Sequence, residues 1–243
     1  MSDGSDLGGG SRSGDAWSSG TSASLPPPAI AVDVPLAGQR LQRFLDELAS
    51  DAPTPGGGAW AGVSAAAGAA LIAMVARLTL KKKGFEEVAA RMAAVAEECD
   101  EERHILMGLA DRDAAAYREV MAAYKLPKDT PEHEHTRAFT LQKALEAAAD
   151  VPLEVARRSV YLMALAEEAI QTGNPNAASD AYSAAAALHA AALSALANVD
   201  INAITFVDKT RQRELADSAS SLRNRAQSIL RDVGDAFVIA VHA

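Results

Sequence analysis

Residues 54–84 read TPGGGAWAGVSAAAGAALIAMVARLTLKKKG. Three adjacent glycines precede an uncharged run of small residues, and three lysines and a glycine close it. The run lacks the alternation of a half-buried strand and is too long for one, so it predicts a helix from the glycines to about Leu80. Gly84 is placed to stop that helix, and the lysines suit the negative end of its dipole. Glycines lose more freedom on ordering than other residues and offer no side chain to pack. A tight crossing of helices or the close approach of a ligand to backbone N–H groups would compensate.

The rest of the chain is built in the same way. Of 243 residues 49% are apolar but only 5% are aromatic, so the core must come from the close approach of small-faced helices. The expected fold is all-α: a bundle of six to seven mostly antiparallel helices, several long and alanine-rich. A short amphipathic helix covers 36–48 and a long one covers 85–125, with room for a kink at Gly108. Thr130 and Pro131 read as cap and first residue of a helix running towards Asp150. The sequence "DVPLEV" predicts a break there, with a further helix to Gln171 stopped by Gly173. Asn174 and Pro175 repeat the cap-and-proline device for a helix reaching 196–204, and a last helix spans about 211–241.

Residues 1–33, rich in Gly, Ser, Asp and Pro, read as a disordered tail, and 34–243 as one helical domain. No basic-then-apolar leader opens the chain. The uncharged run at 58–76 is long enough to attract a membrane reading, but Ala and Gly give it a weak transfer free energy, so no membrane partner is expected. The formal charge of −9 disfavours nucleic acid. One cysteine, Cys99, excludes an internal disulfide and suits a reducing, cytoplasmic setting.

Candidate chemistry is sparse. The glycine run matches neither Gly-Lys-Ser/Thr nor GxGxxG after a strand. Asp111 and Asp113 lie about 200° apart on a helix, so at most one faces inward. Asp113 shares its side with Tyr117, Val120 and Tyr124, where a carboxylate is costly unless paired or used. Asn198 and Asn202 lie one turn apart and would present two amides to one partner. Asp180 lies 18 residues before Asn198, roughly 27 Å along a continuous helix, so the two share a compact site only through a second subunit or a break. His133 and His135 lack the spacing and third ligand of a metal site, and none is expected. Lys81, Lys82 and Lys83 are the densest positive charge on the chain.

The motifs "PTPGGG", "GAALIAMVARLT", "DRDAAAYREVMAAYKLPK", "VPLEVA" and "GNPNAASDAYSAAAALHAAALSALANVDINA", in this order, resemble the cyclodeaminase/cyclohydrolase family. That family comprises the folate-processing C-terminal part of formiminotransferase-cyclodeaminase and its stand-alone relatives. The resemblance spans Leu36 to the C-terminus and implies an all-helical homodimer acting on one-carbon derivatives of tetrahydrofolate, with no cofactor beyond that substrate. It implies a catalytic role for Asp113 and substrate contacts at Gly56, Gly57 and Gly58. Asp180 and Asn202 match recurring family positions. Ala59 replaces a usual serine, and Lys81 stands where a glycine is common.

The expected reaction is hydrolysis of 5,10-methenyltetrahydrofolate to 10-formyltetrahydrofolate. The alternatives are a stand-alone formiminotetrahydrofolate cyclodeaminase that releases ammonia, and a non-catalytic helical dimer that binds folate or a protein partner. A desolvated carboxylate would attract the methenyl cation and take a proton from attacking water. Lys82 or Lys83, some 25 residues and roughly 37 Å of helix from Gly57, would reach the folate glutamate tail across a dimer.

Overall fold

The computed structural model describes residues 35–242. The tail expected over residues 1–33 lies outside the described residues. Six α-helices follow one another: α1 (Leu41–Leu48), α2 (Gly57–Leu80), α3 (Ala89–Tyr124), α4 (Pro131–Thr172), α5 (Ala178–Ala203) and α6 (Lys209–His242). Short 3-10 turns at Leu36–Gly38, Glu86–Val88 and Pro175–Ala177 lead into α1, α3 and α5. No strand occurs among the described residues.

Small residues let α2 pack closely on two neighbours. A Cβ on Gly62 would lie 2.9 Å from both Ala110 Cβ and the Leu106 carbonyl of α3, and one on Gly68 would lie 2.6 Å from Leu188 Cγ of α5. The α2–α5 pair is antiparallel, since Gly57 faces Asn198 while Gly68 faces Ala184 and Leu188. Ser64 ties the pair further by donating to the Ala187 carbonyl at 3.4 Å. Fully buried Ile72, Met92, Leu106, Leu162, Met163, Leu188, Leu196 and Leu215 fill the space between the alanine faces. By length and composition α2 and the stretch Pro175–Ala203 could each cross a membrane. In the fold the inner arc of α2 is buried instead, with Ala61, Ala65, Ala69, Ile72 and Ala76 at or near zero exposure.

The capping devices form as the sequence indicates. Thr130 accepts from the His133 N–H at 3.1 Å, Asn174 accepts from the Asn176 N–H at 3.1 Å, and Gly84 follows α2 in the left-handed region at φ +89°. Buried Thr79, near the end of α2, accepts from the Asn174 N–H at 2.9 Å and so holds the α4–α5 turn.

The expected break at "DVPLEV" does not occur. Helix α4 runs through Pro152 as one 42-residue helix. A proline inside a helix leaves the carbonyl four residues earlier without its N–H partner. Here that carbonyl belongs to Ala148, and the Asn202 side chain donates to it at 2.6 Å. A donor from α5 therefore substitutes for the missing backbone bond, and the helix continues.

Candidate functional site

The first turn of α2 has no capping side chain of its own: Gly56 is the cap residue, in extended conformation. The Trp60 N–H reaches the Gly56 carbonyl at 2.9 Å, but the earlier N–H groups of a helix have no partner within it. The Asp113 carboxylate, carried on α3, lies against this turn beside Gly58, where the Ala59 N–H favours its charged form. Asp113 thus packs against the start of α2 from a neighbouring helix.

This contact answers the question posed by the glycines. A Cβ on Gly58 would lie 2.1 Å from Asp113 Oδ1, so any side chain there would occupy the carboxylate's place. Gly57 packs against α5, where its carbonyl accepts from Ser194 Oγ at 3.1 Å. The sequence points to a ligand against the glycines; the closest group in the structure is the carboxylate itself. Gly56, Gly57 and Gly58 nevertheless also line the adjoining pocket.

That pocket has a volume of about 400 Å³. Tyr117, Val120 and Tyr124 of α3 and Leu145 of α4 supply its apolar wall; Asp113, Asn198, Asn202 and Thr205 supply polar groups. Spacing on one helix face explains the α3 set, since residues 113, 117, 120 and 124 succeed one another at one-turn intervals. Burial holds the Asp113 carboxyl above the usual aspartate range, and the Ala59 N–H offsets this in part. The result is a half-buried carboxylate beside an apolar wall that holds a proton more readily than an exposed aspartate.

Asp111, two residues away, points elsewhere: its Oδ1 accepts from the Leu36 N–H at 2.9 Å and fixes the turn before α1. His133 pairs with Asp129 at 2.8 Å on the exposed start of α4.

The remaining sequence candidates divide into two ends. Asp113, the glycines and Asn202 meet at the pocket. Lys82, Lys83 and Asp180 lie at the other end of the antiparallel α2–α5 pair, the length of α2 away, roughly 36 Å. Lys82 donates to Asn174 Oδ1 at 2.8 Å and lies over the Phe85 ring at 5.4 Å. Within one chain these three residues do not reach the Asp113 pocket. Sequence reasoning gave the apolar wall no ligand role, and it missed Leu145, Ile201 and Thr205; the i, i+3, i+4 pattern from Asp113 was the available signal for Tyr117, Val120 and Tyr124.

Comparisons with known proteins bear on the family and the fold. The formiminotransferase-cyclodeaminase family matches residues 40–221. A methenyltetrahydrofolate cyclohydrolase of Methylorubrum extorquens is 43% identical over 176 residues, which cover 72% of this chain and 85% of that protein. The formimidoyltransferase-cyclodeaminase of Sus scrofa is 34% identical over 201 residues, 83% of this chain but 37% of that protein, so the chain spans little more than a third of this longer relative. The crystal structure of a formiminotetrahydrofolate cyclodeaminase from Thermotoga maritima superposes with a TM-score of 0.76 at 34% identity, covering 84% of this chain and 98% of that one.

Proposed function

The chain belongs to the formiminotransferase-cyclodeaminase family, and from this premise we propose that it is a methenyltetrahydrofolate cyclohydrolase with Asp113 as its general base. The observation that carries the reading is the Asp113 carboxylate, packed against the start of α2 with its proton affinity raised by burial, lining a pocket with an apolar wall. The substrate is a ring cation, which the carboxylate attracts in a poorly solvated site. Asp113 takes a proton from water as the water oxygen bonds to the methenyl carbon. The neutral adduct then opens: the bond from that carbon to N5 breaks, the hydroxyl proton leaves, N5 gains a proton, and the formyl group remains on N10. One proton is released overall.

The likeness to a cyclodeaminase structure gives the second reading its weight, since ring closure with loss of ammonia uses the same atoms in the opposite sense. The two are separated by supplying methenyltetrahydrofolate and formiminotetrahydrofolate to the purified chain in turn. Loss of the methenyl absorbance without ammonia release is the expected result. Ammonia from the formimino substrate with no methenyl hydrolysis would reverse the assignment.

The reading includes a homodimer. The exposed side of α2 carries Trp60, Ala67, Ala70, Met74 and Leu78, and that of α5 carries Ala186, Ala190, Leu193 and Ala197. Neither stretch 59–76 nor stretch 181–199 contains a Lys, Arg, Asp or Glu. In a chain where 23% of residues are charged, such a face is suited to a second copy of itself. An antiparallel arrangement would bring Lys82 or Lys83 and Asp180 of one protomer to the glycine end of the other. The lysines would there meet the glutamate tail of the substrate. A cytoplasmic setting is part of the same reading, supported by Cys99 being a buried free thiol.

A further inference from the structure

Two side-chain amides line the Asp113 pocket, and both have their nitrogen committed to a backbone carbonyl. Asn198 Nδ2 donates to the Ser194 carbonyl at 2.9 Å, and Asn202 Nδ2 donates to the Ala148 carbonyl at 2.6 Å. A carbonyl only accepts, so the chemistry of the partner decides which end of each amide faces it. The oxygens are left over as acceptors, and among the described residues neither has a protein donor. Pro152 is the origin of the second arrangement, because it withholds the N–H that would otherwise occupy Ala148.

We propose that Asn198 and Asn202 are specificity-determining residues: a pair of acceptors, one helical turn apart, that receive N–H donors from the ligand. The proposal rests on the folate reading, and it names the part of that substrate concerned. Its pterin ring carries an exocyclic amino group and one adjacent ring N–H along its pyrimidine edge, whereas the reacting carbon lies on the opposite side of the bicycle. Such an edge offers donors in the plane of the ring, which two acceptor oxygens bind and a hydrocarbon wall does not. Failure to present the donors would leave the oxygens desolvated and unpaired, which is where discrimination against other rings arises. Asn202 therefore has two tasks, one for each end of its amide: to close the helix at Pro152 and to read the ligand.

The two tasks separate experimentally because Pro152→Ala restores a backbone N–H to Ala148. Asn202→Ala alone is expected to lower Tm and to raise KM for methenyltetrahydrofolate. In the Pro152→Ala/Asn202→Ala double variant the melting temperature should recover, while KM stays raised roughly tenfold, the effect of one lost hydrogen bond. Pro152→Ala alone should keep the KM of the unaltered chain, and kcat should change less than KM throughout. A double variant that regains both Tm and KM would show that Asn202 is only a structural donor and would overturn the assignment. An unaltered chain that turns over neither methenyltetrahydrofolate nor formiminotetrahydrofolate would overturn the folate reading itself, and this inference with it.

Discussion

At the scale of single residues, Asp113 and Gly58 form one unit. Asp113→Asn keeps the shape and the acceptor for Ala59 but removes the base, so cyclohydrolase turnover should fall by about two to four orders of magnitude. Stability should move the other way. A folded-state pKa raised above the unfolded value means that ionisation of Asp113 costs stability once the pH exceeds it. The uncharged variant should accordingly melt no lower than the parent at pH 7, its advantage having developed as pH rises from the unfolded-state pKa through the raised folded-state one; a clear loss of Tm would contradict the burial of the charge. The same shift places the acid limb of kcat/KM above the ordinary aspartate range of about 3.9, with activity falling as pH drops through it. A limb at or below that value would remove Asp113 as the base. Gly58→Ala should abolish turnover by displacing the carboxylate, and the damage to Tm should vanish when Asp113→Ala is added, since the obstructing atoms are then gone. Sequence patterning found Asp113 because a carboxylate on an apolar face is conspicuous. It could not show that the glycines make room for that carboxylate, since α2 and α3 meet there only after folding.

At the scale of elements, α2 depends on its glycines for both neighbours. Gly62→Ala gains about 1 kcal/mol of helix propensity but drives a methyl against the Leu106 carbonyl, which cannot turn aside. A net loss of about 1–3 kcal/mol is expected in urea unfolding; a stabilised variant would mean that α2 and α3 slide apart freely. The helix starts at Pro131, Pro175 and Gly57 were legible because their signals are local: a proline, a cap residue, a change of composition. Pro152 misled for the same reason. Locally it ends a helix, and the donor that overrides it is supplied by Asn202, fifty residues further along the chain. The cluster of sequence candidates on α2 and α5 was legible as a set, yet its division between two ends of the pair required knowing that the helices run antiparallel.

At the scale of the whole molecule, the uncharged α2–α5 face leads to the prediction that the chain sediments as a dimer at assay concentration. Ala190→Glu, on the exposed side of α5, should yield monomers and lose turnover if the site is shared between protomers. A fully active monomer would confine the site to one chain and return Lys82 to its bonds with Asn174 and Phe85. The closeness of the Ala59 N–H to the Asp113 carboxylate has a consequence of another kind. A backbone amide proton beside a carboxylate changes its magnetic environment when that carboxylate gains a proton. The Ala59 resonance of isotopically labelled protein is therefore a native indicator dye for the base, from which the protonation of Asp113 could be followed by NMR in the resting enzyme, without substrate and without any attached label.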